Sequence, residues 1–313
     1  MRLNQSKPSI SINKVKFTYQ EISGIGYEPG VCRRDPSCII KKNGSYYIWY
    51  TKVEKGAHLY PSGYSGTIWY ATSSDEGLHW EEKGEAVATS QDGFDSRAVF
   101  TPNILVVKDR YYLTYTAVKE GFTNEDYSDI NRTAIGMAIA DSPDGPWKKL
   151  DKNPILESSR DTEKFDSFRV DDSCFVIRGD KICMYYKGRQ WGNTGKNTKM
   201  GLAIADQPEG SYTRYNDGNP VQDSGHEVLV WPYKSGVMSL VSNVGPNGRT
   251  LQFTNDGINF KVACKLPKNY PKAPGAFRQD FSGEPDYDSG ITWGVSMVPG
   301  KDPYLVRFQI KVK

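Results

Sequence analysis

The chain is 313 residues long, with 40 Lys and Arg against 37 Asp and Glu and a net charge of +3. Its basic residues are scattered rather than gathered into a dense run, which argues against a nucleic-acid partner. No apolar run of ~18 residues and no signal-peptide core opens the sequence, so no membrane partner and a cytoplasmic or periplasmic location are expected.

Twenty Tyr, seven Trp and thirty Gly make an aromatic, turn-rich mixture typical of short-strand β proteins and of sugar-binding surfaces. Cys32, Cys38, Cys174, Cys183 and Cys264 form no CxxC and lie in or beside strand-like runs, so they read as reduced, mostly buried thiols.

In chain order, Val15-Lys16-Phe17-Thr18-Tyr19 alternates as a strand does, but a lone strand needs a sheet to join. A loop rich in turn formers (Gly24, Gly26, Pro29, Gly30) then leads to Arg33-Arg34-Asp35-Pro36-Ser37. Pro36 biases Asp35 toward extended backbone and gives no N–H to a ladder, which puts this acid at a strand mouth. Strands follow at Ser45–Thr51 and Thr67–Thr72, with a turn at Asp75-Glu76-Gly77. The order returns from Phe100-Thr101-Pro102-Asn103 through Ala140-Asp141-Ser142-Pro143-Asp144-Gly145-Pro146-Trp147, and again from Val170-Asp171-Asp172 to Glu209-Gly210. A shorter copy runs from His226-Glu227-Val228 to Asp256-Gly257, and Gly290–Ser296 with Tyr304–Phe308 begins a fifth set.

The polar strand-start positions Asp35, Asn103, Asp172 and Glu227 recur at intervals of 68, 69 and 55 residues. Each hairpin glycine (Gly77, Gly145, Gly210, Gly257) follows Asp or Glu, as a turn needing a positive φ requires. Four-stranded antiparallel units at this period predict an all-β fold, a five-bladed β-propeller occupying residues 1–313 as one domain. Residues 1–26 are an N-terminal extension able to complete the last blade.

Innermost strands of a propeller start near its central channel, so Asp35, Asp172 and Glu227 should meet at one mouth. Each has a plainer reading: Asp35 as a turn cap paired with Arg33 or Arg34, one of Asp171 and Asp172 as a solvated turn residue, His226 as a structural histidine. Together, gathered like charges raise at least one pKa and suit glycoside hydrolysis, where one carboxylate activates water and another group protonates the leaving oxygen. Trp191 is a sugar platform or a packing lid, His79 a turn residue, and His58 has no evident partner. HExxH, Gly-x-Ser-x-Gly and P-loop patterns are absent, and Asp92-Gly93-Phe94-Asp95 is too sparse for a calcium loop.

At these residues the chain resembles the neoagarobiose hydrolases, the 3,6-anhydro-α-L-galactosidases of glycoside hydrolase family 117. The resemblance lies in Arg33-Arg34-Asp35-Pro36-Ser37, Arg97-Ala98-Val99-Phe100-Thr101-Pro102, Tyr185-Tyr186-Lys187-Gly188, Ser224-Gly225-His226-Glu227-Val228 and Val230-Trp231-Pro232, within a span from Tyr27 to Val295. It implies a five-bladed propeller that releases terminal 3,6-anhydro-L-galactose from neoagarobiose or a related short red-algal oligosaccharide, exo-acting and with inversion. Asp35 would be the base, Asp172 the group that tunes and orients the acid, and Glu227 or His226 the acid. Arg34, Arg97, Asn103, Asp171, Lys187 and Trp191 would bind substrate. No cofactor is required, and the channel is compatible with a structural divalent cation.

Three departures stand out. Asp171-Asp172-Ser173 replaces an expected His-Asp-Pro, and Thr101-Pro102-Asn103 replaces Thr-Pro-Asp; both point to an altered sugar pocket. The N-terminal helical segment through which some members dimerise has no counterpart, leaving monomer or homodimer. Alternative readings are a propeller glycosidase acting on an arabinofuranoside or galactofuranoside, and a catalytically degenerate carbohydrate-binding propeller.

Overall fold

Runs of aromatic and β-branched residues, each cut short by a turn glycine or proline, pair in sequence order because short connections favour antiparallel neighbours. The computed structural model describes residues 10, 12–57, 64–123, 125–283 and 290–312, and in it these runs form five antiparallel blades. Blade 1 starts with an innermost strand split into Cys32–Arg34 and Ile40–Lys42, followed by Ser45–Val53, Thr67–Ser73 and Glu81–Val87. Blade 2 comprises Ala98–Val107, Arg110–Val118, Ala134–Ala140 and Lys148–Lys149, and blade 3 Arg169–Arg178, Lys181–Arg189, Lys199–Ala205 and Thr213–Arg214. Blade 4 runs through Leu229–Tyr233, Gly236–Val241, Thr250–Thr254 and Lys261–Lys265. Among the described residues helix is confined to single 3-10 turns, and no helix is long and apolar enough to cross a membrane.

Blade 5 takes Lys272–Ala276, Trp293–Val298 and Tyr304–Val312 from the end of the chain and Val15–Glu21 from its beginning. Val15 pairs with Val312 and Glu21 with Val306, so both termini share one sheet and the ring is closed by main-chain hydrogen bonds. Phe17 fills the interior of that joint, buried edge-on against Phe308 with ring centroids 6.2 Å apart.

The repeat also links neighbouring blades. Second-strand tyrosines reach the hairpin turn of the next blade: Tyr47 donates to Asp144 at 3.2 Å, Tyr112 to Glu209 at 3.3 Å, and Tyr185 to the Gly257 carbonyl at 2.7 Å. Across the closing joint, Arg307 of blade 5 donates to the Glu76 carbonyl at 2.8 Å in the turn of blade 1. A second repeated device anchors the inner strands. Asp95 and Asp166, both buried, accept from Tyr115 and Tyr186 and pair with Lys149 and Arg214 at 2.7 Å each.

Phe17→Ala removes a buried ring where the chain ends meet and should cost about 3–5 kcal/mol, read as a lower urea midpoint at unchanged slope.

Candidate active site

Each innermost strand carries one non-glycine residue in the left-handed region: Asp35 (φ 49°), Thr101 (49°), Asp172 (50°), Glu227 (60°) and Ala273 (39°). Such backbone costs of order 1–3 kcal/mol per residue and persists only where its surroundings enforce it. Register shifts between Phe100 and Asn103, Asp171 and Cys174, and Lys272 and Gly275 mark bulges at three of the five positions. A bulge bends its strand and re-aims a side chain. Gly275 allows the ring to close this tightly, since a Cβ there would fall 1.7 Å from the Ser37 carbonyl oxygen.

Two expectations are corrected here. Asp35 is not extended: the proline after it disfavours right-handed helical backbone, and the bend takes the left-handed region instead. The residue of blade 2 equivalent to Asp35 is Thr101 rather than Asn103. Asn103 lies two residues on, buried, where its Oδ1 accepts from the Cys38 N–H at 3.3 Å and from its neighbour Ile104 at 2.8 Å. Sequence alone held the right register: Phe-Asp-Ser recurs at Phe94 and Phe165, 71 residues apart, and that spacing aligns Thr101 with Asp172.

Asp35, Asp172 and Glu227 meet, with Thr101, Lys187 and His226, on the wall of one cavity of about 350 Å³. Volumes of this order are usual for small-molecule sites. The three acids also line, with Pro36, Pro102 and Pro274, a smaller space of about 30 Å³, enough to hold an ordered water. The buried Arg278 guanidinium donates to the carbonyls of Phe175 at 2.9 Å and Val230 at 3.2 Å and pairs with Asp280 at 2.7 Å. Cys38 and Cys174 lie beside it at 3.9 and 4.0 Å, free thiols of the interior.

The acids differ in environment. Asp35 pairs with Arg34, whose guanidinium rests 5.5 Å over the Phe100 ring, and accepts from the Thr101 hydroxyl at 3.4 Å. Lys187 bridges Asp171 at 3.0 Å and Asp172 at 2.7 Å. Asp171 also accepts from Thr116 at 2.5 Å and from the Asp172 N–H at 2.8 Å; despite its burial, these bonds and the Lys187 charge hold its carboxyl below the usual range. Asp172 is pushed up to about 7, first by burial and then by the charges of Asp171 and Asp35 working against Lys187. Its Oδ2 accepts the Glu227 N–H at 3.0 Å, tying the third acid to the second. Glu227 in turn accepts the Ala273 N–H at 2.9 Å, yet burial and the Asp35 charge raise its carboxyl above the ordinary range.

His226 is pressed down to about 3 by burial and by the Lys187 charge, so its imidazole is neutral near pH 7. Its Nδ1 is buried with no hydrogen-bond partner among the described residues. Gly225 places this segment, because a Cβ there would come within 2.5 Å of the Met200 nitrogen of blade 3.

Arg34, Asp171 and Lys187 thus stand on the cavity wall beside the acids. Arg97 does not: it donates to the Phe122 carbonyl and lies 5.9 Å from that ring, one layer behind. Trp191 sits on a shoulder of blade 3 against Phe168 and Tyr127. His79 pairs with Asp75 within an exposed hairpin turn, and His58 lies outside the described residues. Tyr64, Thr101, Phe100 and the Met297–Pro303 rim of blade 5 complete the wall without having been singled out in the sequence. Among the described residues no three His, Cys, Asp or Glu side chains are placed to hold a metal ion, so no step below passes through one.

A His226→Gln variant tests this site. With a folded-state pKa of about 3 against 6.5 unfolded, the native protein binds fewer protons below pH 6.5. Its stability therefore falls as pH drops through that window. Between pH 7.5 and 5 the wild type should lose about 2 kcal/mol more than the variant in urea unfolding.

The family model described as the glycosyl hydrolases family 32 N-terminal domain matches residues 32–184, somewhat less than half of the chain. No curated protein sequence matches. Among solved structures, a family 117 glycoside hydrolase produced by the marine bacterium Zobellia galactanivorans superposes with a TM-score of 0.80 at 32% identity, covering 95% of this chain and 90% of that one. An α-L-arabinofuranosidase from Podospora anserina, solved with cellotriose, superposes at 0.65 with 10% identity, covering 97% and 98%. A family 43 enzyme from Xanthomonas citri does so at 0.62 with 11% identity, covering 94% and 92%. The last two likenesses show the fold alone.

Proposed function

The chain belongs to glycoside hydrolase family 117, and from that premise we propose that it removes a terminal 3,6-anhydro-L-galactose from neoagarobiose or a related short red-algal galactan oligosaccharide, with inversion. The observation that carries the reading is the convergence of Asp35, Asp172 and Glu227 from three blades on the wall of one cavity.

Inversion uses a base and an acid on opposite faces of the sugar, ~6.5–9.5 Å apart, with water between the base and the anomeric carbon. Asp35, held by Arg34 and Thr101, takes the proton of that water as its oxygen attacks. Glu227 delivers a proton to the departing glycosidic oxygen; its raised carboxyl is protonated over a wider pH range than a free one. His226 is the poorer donor, because its neutral imidazole would have to give up an N–H proton without first becoming imidazolium. Asp172 works through position: its Oδ2 accepts the Glu227 N–H and so fixes where the acid stands.

A second reading, hydrolysis of an arabinofuranoside or galactofuranoside, is favoured by Asp171, which stands where the resemblance predicts His and is committed to Lys187 and Thr116. Assaying neoagarobiose beside aryl furanosides separates the two readings.

For either substrate, Asp35→Asn and Glu227→Gln should each lower kcat/KM by about 10²–10⁴-fold while leaving the urea midpoint within experimental spread. Full activity in Asp35→Asn would remove the assignment of the base.

A further inference from the structure

Two arginines face each other across blade 3. Arg169 on the innermost strand is the register partner of Arg189 on the second, two residues along from the Asp171–Lys187 pair. Like charges directly opposite on neighbouring strands destabilise a sheet. Arg169 is itself well occupied: it donates to the carbonyls of Asn131 and Phe168 and, at 3.2 Å, to the Tyr64 hydroxyl.

Arg189 is placed differently. It makes no ion pair among the described residues, and its Nε is buried without a hydrogen-bond partner. Its charge reaches His226 on the cavity wall, where it adds to that of Lys187. The cations of the wall itself, Lys187 and Arg34, are already matched, Lys187 by Asp171 and Asp172 and Arg34 by Asp35. Blade 3 therefore presents one guanidinium whose charge the described protein does not balance. A buried or half-buried guanidinium is expensive to leave so, and its planar donors match oxyanions.

Beside it stands an aromatic face. Trp191 is 37% exposed, with its ring edge-on to Phe168 at 4.7 Å, and Arg189 lies 5.4 Å over the same Phe168 ring. Indole faces stack on sugar rings, and a guanidinium one ring away meets a charged substituent of that sugar.

We propose that Arg189 and Trp191 form a subsite, on the blade 3 shoulder of the cavity, for a sugar bearing an oxyanion: a sulfate ester or a uronate carboxylate. The proposal rests on the glycosidase reading of the cavity and extends it to acidic oligosaccharides. Its test is calorimetric titration of the wild-type protein with methyl galactopyranoside, its 6-sulfate and methyl galactopyranosiduronate. One of the two anionic glycosides should bind roughly tenfold or more tightly than the neutral one. Which of the two it is tells sulfate from carboxylate.

In Arg189→Gln that advantage should shrink to within about twofold, while Arg189→Lys keeps part of it. The melting temperature of Arg189→Gln should hold or rise, since the substitution relieves the repulsion with Arg169; a purely structural arginine would lower it. Should Arg189→Gln fail to fold, the salt dependence of wild-type binding decides, because a guanidinium–oxyanion contact weakens with added sodium chloride. Equal affinity for neutral and anionic glycosides, a preference that survives Arg189→Gln, or one indifferent to salt overturns the proposal. Failure of the glycosidase reading shows separately, as absence of product from every oligosaccharide while the binding difference persists.

Discussion

Five left-handed kinks, one in each innermost strand, are the constraint on which this molecule turns. In an ordinary strand a side chain stands perpendicular to its sheet, toward a neighbouring blade. The kink turns Asp35, Thr101, Asp172, Glu227 and Ala273 toward the axis at one level. At roughly 1–3 kcal/mol apiece the strain is large beside the net stability of a domain, so the closed ring must hold it in place. The blade-to-turn tyrosines, the shared terminal sheet and the Arg278 plug supply that hold. Strain at the site and closure of the ring are two sides of one design.

Charge follows from the same geometry. Asp35, Asp171, Asp172 and Glu227 crowd one cavity wall, and one lysine cannot neutralise them all. Lys187 settles on Asp171 and Asp172, Arg34 on Asp35, and burial together with the neighbouring acids raises the Asp172 and Glu227 carboxyls above the usual range. His226, though adjacent in sequence to Glu227, stays neutral because it is buried and because the cations of blade 3 face it.

Much of this was legible in the sequence, for physical reasons. Hairpin glycines at Gly77, Gly145, Gly210 and Gly257 and the aromatic strands between them give the blade period, because turns and alternation are local properties. The three acids were legible because they are the polar residues that interrupt those strands. Thr101 was harder: Thr-Pro-Asn offers two polar residues two apart, and only the Phe-Asp-Ser repeat decides between them. Ala273 carries no functional group and left no trace. The Arg169–Arg189 juxtaposition depends on register across a bulge, and Asp35's backbone on a bend that no residue type dictates.

On the proposed mechanism Asp35 directs a single water at the anomeric carbon while Glu227 protonates the leaving oxygen from the other face. The most direct measurement is NMR of the first sugar released from neoagarobiose and from acidic galactan oligosaccharides, before the anomers equilibrate. The account predicts the inverted anomer as first product. A first product of retained configuration would contradict it.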